Sequence, residues 1–294
     1  HQDWAVVICL IGGGQEINRG EAGLPEWFRA LQNGFPEWNV YVSDQLNDYE
    51  YTLGQPIYSH ISETRRFIRD DFHLGVSVRS FRSERQSEFV KALLDNQPEH
   101  ATSIFFELKA RYPIVVTRNL DLAKQWLKAQ ARGSERYGLV ASSGANRLRP
   151  EGIDIKAKID PKNWFLNDKE DVRSSYFLEE VATEFDIQGL ELDWTCVGWD
   201  ANFVHSPGGW LYRNFSGTRW QNINDETRRL YLKNSYRVLL TRARQGMVIF
   251  VPYGSNDDLT RLTSFYDSTF HYLRKIGIPE LNEANLAWEA ITLA

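Results

Sequence analysis

Short apolar runs that lack the alternation of a half-exposed strand recur along this chain of 294 residues, separated by stretches with helical spacing. Three of them are Ile114–Thr117 (IVVT), Tyr137–Ala141 (YGLVA) and residues 247–251 (MVIFV). Strands that are apolar on both faces are typical of a parallel sheet covered by helices on both sides. The pattern therefore predicts an α/β fold with a parallel sheet and right-handed crossovers.

Other parts of the chain extend this pattern. Residues 4–11 (WAVVICLI) form a continuous apolar run that stops at three glycines, which predicts another strand buried on both faces. Asn119 is of a residue type that caps helices, and the helix after it should run to about Gln130. Further elements are expected as a strand at 38–42 and helices at 21–33, 62–71, 84–95 and 225–240.

Charge and composition restrict the functional classes. Apolar residues make up 42% of the chain and charged residues 25%, which excludes disordered and fibrous proteins. The net charge of −5 argues against bulk electrostatic attraction of nucleic acid, although a local groove can still bind a single strand. Ten tryptophans and thirteen tyrosines can supply stacking platforms for bases, but most of them should be core residues.

Nothing in the sequence predicts a membrane or secretory location. No apolar run approaches the roughly 18 residues of a membrane span, and no cleavable leader pattern is present. Cys9 and Cys196 lie in apolar runs and are expected to be buried thiols in a reducing compartment. The six histidines have no metal-ligand spacing, so no metal site is expected. A cytoplasmic location follows as the default.

Two segments in the first third of the chain carry groups that can bind phosphate. The turn at residues 12–16 (GGGQE) lets the backbone approach a ligand closely, or else is a tight turn with an incidental Gln. It is not a dinucleotide fingerprint, because Ile17 stands where the third glycine should be. Arg79 precedes a predicted helix and is either a bidentate phosphate clamp or a solvated charge.

Two later segments have the same ambiguity. In residues 183–193 (TEFDIQGLELD), Gly189 would relieve crowding near a ligand and Glu191 could accept hydrogen bonds from sugar hydroxyls. The same carboxylate could instead cap a helix or pair with a surface arginine. In residues 239–244 (LLTRAR), Arg242 is either an arginine finger that offsets charge on a phosphoryl group or a partner for the carbonyl groups at a helix end.

Together the four segments follow the order of the later conserved motifs of superfamily 1 helicases of the UvrD/Rep type. The chain resembles the Schlafen group 3-like DNA/RNA helicases, a bacterial family, over about residues 4–254. The stretches that carry the resemblance are GGGQEINRGEAGLPEW, VRSFR, TRNLDLAKQWL, ASSGANRLRPEGI, EFDIQGLELDW and YRVLLTRARQGMVIFVP.

The resemblance implies a role for each matching residue. Gln15 would sense the γ-phosphate or the attacking water, Arg79 would contact the γ-phosphate, and Arg242 would be the finger. The nucleotide-binding residues would be Gly14, Gly189 and Glu191, the last of these holding the ribose. Contacts to the nucleic-acid backbone would come from the carboxyl ends of strands, at Thr117, Arg118, Ser142 and Ser143.

The resemblance also predicts domains and ligands. Residues 1–65 would be the carboxy-terminal remnant of a first RecA-like core, residues 66–275 a second RecA-like helicase core, and residues 276–294 a tail. The intact protein would use ATP and Mg²⁺ to drive movement along DNA or RNA, expected to be single-stranded. A missing amino-terminal RecA-like core would be the partner of this chain.

Departures from the family pattern limit these expectations. Glycines replace the Asp of the first motif, and Val78 replaces a tyrosine that would contact the adenine. The sequence has no GxxxxGK[ST] loop and no apolar strand ending in Asp-Glu, the elements that bind the phosphates and Mg²⁺ in this class. We therefore expect this chain alone neither to bind ATP tightly nor to hydrolyse it.

Two other functions compete with this prediction. A non-catalytic module with a helicase-like fold, which only binds nucleic acid or a protein, would have no need of Arg79, Glu191 and Arg242 together. A nuclease would need clustered carboxylates or histidines, and the sequence does not predict such a cluster.

Overall fold

The computed structural model describes residues 4–11, 17, 24–47, 52, 56–73 and 81–284. The chain divides into two compact units, residues 1–78 and 79–294. The expected limits of the RecA-like cores and the tail, at residues 65 and 275, stay a prediction, because compactness alone does not identify such cores.

The described part of the first unit contains one helix and one small sheet. Helix α1 spans Leu24–Gly34, and the parallel strands β1 and β2 span Val40–Ser43 and Arg66–Arg69. Short 3-10 turns lie at Asp44–Asn47, Ile57–His60, Glu63–Arg65 and Asp70–Phe72. A small hydrophobic core joins α1, β1 and the turns through Leu24, Phe28, Val42, Ile57 and Ile61.

Three predictions for this unit are wrong. Residues 4–11 are exposed and have no regular secondary structure, and Cys9 is exposed with them. A buried strand needs hydrogen-bonded neighbours for its N–H and C=O groups, and no described strand pairs with this run. Residues 62–71 form two turns and β2 instead of a helix, because pairing with β1, with Tyr41 opposite Phe67, outweighs the helical spacing.

The second unit is built on a five-stranded sheet with every pair parallel, in the order β3-β10-β6-β4-β5, beside an antiparallel sheet in the order β7-β8-β9. The strands are β3 (Ile114–Thr117), β4 (Tyr137–Ala141), β5 (Val181–Ala182), β6 (Leu192–Gly198), β7 (Phe203–Ser206), β8 (Gly209–Ser216), β9 (Arg219–Asn222) and β10 (Ala243–Phe250). The helices are α2 (Phe81–Leu94), α3 (Pro98–Leu108), α4 (Leu120–Gln130), α5 (Pro161–Leu166), α6 (Glu184–Ile187), α7 (Glu226–Leu240) and α8 (Thr263–Lys275).

The apolar runs of the sequence become the inner strands of this sheet. Every residue of β3, β4 and β6 is buried, as expected for strands covered on both faces. The side chain of Asn119 caps α4 by accepting hydrogen bonds from the N–H groups of Asp121 and Leu122 at 2.8 and 3.1 Å. The predicted α/β fold with a parallel sheet is therefore confirmed, and a sheet of this kind flanked by helices is what a RecA-like core has.

An aromatic cluster joins the antiparallel sheet to the rest of the second unit. The rings of Phe203 and Trp210 stack at 4.3 Å, and the ring of Tyr236 on α7 lies 4.9 Å from that of Phe203. Trp199, which follows β6, is fully buried against the same group. The cluster fixes the segment between β6 and β7, where several polar side chains of the site described below are anchored.

Candidate nucleotide site and the opposite edge of the sheet

The amino ends of β6 and β10 bring two of the predicted site residues to the same edge of the sheet. Glu191 immediately precedes β6 and Arg242 immediately precedes β10. The two strands are hydrogen-bonded neighbours, with Leu192 opposite Ala243, and the N–H of Leu192 donates to the carbonyl of Arg242 at 2.9 Å. Glu191 and Arg242 are far apart in the sequence, but they precede neighbouring strands at this edge of the sheet.

Arg242 lies in the turn between α7 and β10. Its side chain is buried, with 6% exposure, and its Nε donates a hydrogen bond to the carbonyl of Val238 at 3.2 Å. Val238 lies in the last turn of α7, whose carbonyl groups lack partners within the helix. Part of the guanidinium therefore does satisfy a helix end, as the structural alternative predicted.

Gly189 and Glu191 occupy an exposed loop between α6 and β6. Gly189 has a φ of +83°, in the left-handed region that glycine adopts without steric cost. A Cβ atom at this position would meet no atom within 4 Å. In this structure the glycine is therefore required by the backbone conformation, and crowding near a ligand stays a prediction. The carboxylate of Glu191 is exposed to solvent at the same edge as Arg242.

Asp193, which sequence reasoning did not single out, organises the rest of this edge. One of its oxygens accepts the backbone N–H of Arg136 at 2.7 Å, and the other accepts Nη2 of Arg244 at 2.8 Å. The Asp193 side chain is 9% exposed, whereas the Arg244 side chain is 57% exposed. The second arginine of the LTRAR segment is thus bound at the surface by a buried carboxylate.

The four predicted nucleic-acid residues lie at the carboxyl ends of β3 and β4, as the sequence indicated. Thr117, Arg118 and Ser142 are nevertheless buried, with exposures of 1%, 9% and 1%. Thr117 Oγ1 donates to the carbonyl of Leu281 at 3.0 Å, and Arg118 Nη1 donates to that of Pro252 at 2.8 Å. Among the four, Ser143 is the side chain that is exposed.

Ser142 and Ser143 are each joined to α7 through one intermediate side chain. Ser143 donates from both its N–H and its Oγ to Glu184, at 2.7 Å in each case, and Glu184 also binds Ser235 on α7. Burial raises the pKa of Glu184 despite these hydrogen bonds.

The neighbouring chain of hydrogen bonds starts at Ser142. Ser142 Oγ accepts Asn202 Nδ2 at 3.1 Å, and Asn202 Oδ1 accepts the hydroxyl of Tyr236 at 2.7 Å. The hydroxyl of Tyr236 in turn accepts the N–H of Asp200 at 3.3 Å. Buried polar chains of this kind hold a single geometry, because breaking any link leaves a buried donor or acceptor without a partner.

Asp200, at the end of this chain, is a fully buried carboxyl group. Burial raises its pKa to about 6, although the N–H groups of Ala201 and Arg147 and the hydroxyl of Tyr266 all donate to it. Arg147 makes its ion pair elsewhere, with Asp258 at 2.7 Å. Among the described residues, Asp200 therefore has hydrogen-bond donors but no ion-pair partner.

Comparison with known families decides the class of the protein. A family model described as the DNA/RNA helicase domain of Schlafen group 3 matches residues 1–253. The chain belongs to this family. No curated protein and no solved structure matches the chain. As a Schlafen group 3 helicase domain, it has a helicase-like function and belongs with the proteins that bind nucleic acid.

In this Schlafen group 3 domain the two sets of predicted residues are well separated. The amino edge carries Glu191 and Arg242, and the carboxyl edge carries Ser142 and Ser143. Strand β6 runs between the edges over seven residues, which is about 20 Å of extended chain. The two sets of predicted residues therefore lie at opposite ends of the same strand.

Three predicted residues of this domain, Gly14, Gln15 and Arg79, lie outside the described residues. Within the described ranges, no group of three His, Cys, Asp or Glu side chains is arranged to hold a metal ion. A membrane-spanning helix is likewise not found among the helices of the described residues, since none combines the required length and apolarity.

Proposed function

We propose that this chain supplies the responding half of an ATP-driven helicase or translocase of the superfamily 1 type. Arg242 is the arginine finger and Glu191 binds the ribose, with Gly189 shaping the loop. Gln15 and Arg79 act at the γ-phosphate. The half that binds the phosphates and Mg²⁺ comes from outside these 294 residues, since no GxxxxGK[ST] sequence is among them.

The observation that carries the proposal is the pairing of β6 with β10. Through the hydrogen bond from Leu192 to Arg242, an exposed carboxylate and an arginine are adjacent at one edge of a parallel sheet. A carboxylate accepts hydrogen bonds from ribose hydroxyls, and a guanidinium fork matches phosphate oxygens. The chemistry of these two side chains therefore fits the sugar and phosphate ends of one nucleotide.

Phosphoryl transfer to water depends on positioning and on offsetting negative charge. The proposal gives Arg242 the second task, with the finger completed when the two cores close on the nucleotide. A single strand of DNA or RNA would lie near the carboxyl edge, where Ser143 and the loop backbone beside it reach the surface. That arrangement keeps the nucleotide and the nucleic acid on opposite ends of the same strands.

The test uses the full-length protein with its phosphate-binding half, assayed for ATP hydrolysis with single-stranded DNA and RNA. Arg242→Ala should lower kcat by about 10³-fold or more, the range found for arginine fingers. Arg244→Ala is the matched control, because it removes a neighbouring arginine that binds Asp193 at the surface. The control should stay within a few-fold of wild type.

Two results would contradict the proposal in different ways. Equal turnover by wild type and Arg242→Ala would mean that Arg242 is not an arginine finger. No turnover by wild type would favour the non-catalytic binding module. The 294-residue chain assayed alone gives an independent check, because it lacks the phosphate loop and should show no Mg²⁺-dependent ATP hydrolysis. Robust hydrolysis by that chain would mean that the phosphates are bound by residues other than those proposed.

A further inference from the structure

Two buried side chains bind the backbone on both sides of Arg242. Gln86, on α2, donates from Nε2 to the carbonyl of Leu240 at 3.1 Å, and Tyr112, just before β3, donates from its hydroxyl to the carbonyl of Ala243 at 3.0 Å. Leu240 ends α7 and Ala243 begins β10, so the turn between them consists of Thr241 and Arg242.

The same two side chains are also bonded to each other. Gln86 Nε2 donates its second hydrogen to the hydroxyl of Tyr112 at 2.6 Å. Gln86 is 4% exposed and Tyr112 is fully buried, so water does not compete for these groups. The result is a closed clamp of three hydrogen bonds that reaches the Arg242 turn from residues more than a hundred positions earlier in the sequence.

A helix end does not need a clamp of this kind to be stable. The last carbonyl groups of a helix are commonly satisfied by local turn hydrogen bonds, and the N–H of Thr241 already makes such bonds to the carbonyls of Arg237 and Val238. The clamp instead ties the turn to α2, a helix that begins two residues after Arg79. The clamp therefore joins the end of α7 and the start of β10 to a helix of a different part of the chain.

We propose that Gln86 and Tyr112 are positioning residues for Arg242. They hold the turn of Thr241 and Arg242, the finger turn, at a fixed distance from α2. This inference rests on the proposed function, because a turn that carries no arginine finger needs no such precise position. A reacting group misplaced by about 1 Å can lose about 10²-fold in rate. Loosening the clamp should therefore lower kcat while the binding of ATP, measured as KM, changes little.

The experiment compares Tyr112→Phe with Tyr272→Phe in the full-length protein. Both changes remove one buried hydroxyl that donates to a backbone carbonyl, since Tyr272 donates to Leu93 on α2 at 3.1 Å, a carbonyl outside residues 240–243. Tyr112→Phe should lower kcat by about 10- to 100-fold with KM within two-fold, while Tyr272→Phe keeps the wild-type kcat. Gln86→Met, which keeps the length of the side chain, should match Tyr112→Phe.

Hydrogen exchange in the 294-residue chain gives a readout that needs no activity. Tyr112→Phe should speed exchange in residues 241–246 and at Leu192, whose N–H is bonded to Arg242, and Tyr272→Phe should not. Equal kcat values and equal exchange in the two variants would overturn the inference. One outcome would contradict the positioning role and leave the proposed function standing. In that outcome wild type is active, Arg242→Ala is inactive, and Tyr112→Phe behaves like Tyr272→Phe. Failure of the Arg242 test overturns both.

Discussion

Lowering the pH from about 7.5 to about 5 should stabilise the second unit through Asp200. Burial raises the pKa of this carboxyl group from 3.8 to about 6, even though three hydrogen-bond donors oppose the shift. The folded protein therefore binds a proton at pH values where the unfolded chain is still ionised. Since the folded state binds more protons, its stability must increase as the pH falls.

The size of the effect follows from the difference between the two pKa values. A shift from 3.8 to about 6 corresponds to about 3 kcal/mol, at about 1.36 kcal/mol for each pKa unit. This contribution is fully present below the unfolded pKa and is lost as the pH rises through the folded one. Of the total, about 1.4 kcal/mol should return between about pH 7.5 and pH 5.

The assay is guanidinium unfolding at both pH values, followed by tryptophan fluorescence, for wild type and Asp200→Asn. Other carboxyl groups also titrate in this range, in the same direction for Glu184 and in the opposite direction for Glu135, whose pKa is lowered by a hydrogen bond from the Trp194 indole. Their effects cancel in the difference between the two proteins. The amide of Asn fits the three donors poorly, but this offset does not depend on pH.

The difference in unfolding free energy between wild type and Asp200→Asn should therefore move by about 1.4 kcal/mol in favour of wild type as the pH falls. A difference that stays constant to within about 0.3 kcal/mol, or that moves the other way, would refute the reasoning. It would mean that water or a rearranged Arg147 reaches the Asp200 carboxylate and keeps it ionised in the folded state.

Three further predictions concern stability, each checked by denaturant unfolding. Gly246→Ala should lower the free energy of unfolding by about 1–3 kcal/mol, because the new Cβ would lie 2.6 Å from the carbonyl oxygen of Pro113. The control Gly34→Ala should not destabilise the protein, because its Cβ would meet no atom within 4 Å. Asn119→Ala should cost about 1 kcal/mol through the lost cap of α4, and a neutral result would show that water replaces the cap. Tyr236→Phe should cost about 1–3 kcal/mol, because Asn202 loses its donor, and an unchanged midpoint would contradict a rigid buried chain.

The sequence predicts the parallel sheet well because its signal is local. Runs such as Ile114–Thr117 and Tyr137–Ala141 are apolar on both faces. A short run of this kind between two turns is typical of a strand that is buried on both faces. Residues 4–11 show the limit of the same reasoning. The run is as apolar as the others, but a strand is defined by its neighbours, and none of the described strands pairs with it.

Predicting the site was possible in part. Glu191 and Arg242 were named from the family resemblance, and the structure has them immediately before two neighbouring strands. The roles of Asp193 and Gln86 could not be read in advance, because each acts through a partner more than fifty residues away. The burial of Arg118 could not be predicted either. An arginine that follows a strand is expected at the surface, and the ring of Phe270 that covers it comes from a distant part of the sequence.

Helix α7 has a consequence for how the length of this chain can vary. Tyr236 is bonded to the carboxyl edge of the sheet, and Arg242 lies at the amino edge six positions later. One residue inserted between them would rotate the second relative to the first by about 100°, so both could keep their contacts only if the helix were distorted. The exposed turn at Gly217, between β8 and β9, has no such constraint. Insertions and deletions among relatives should therefore occur in that turn and be absent from residues 236–242.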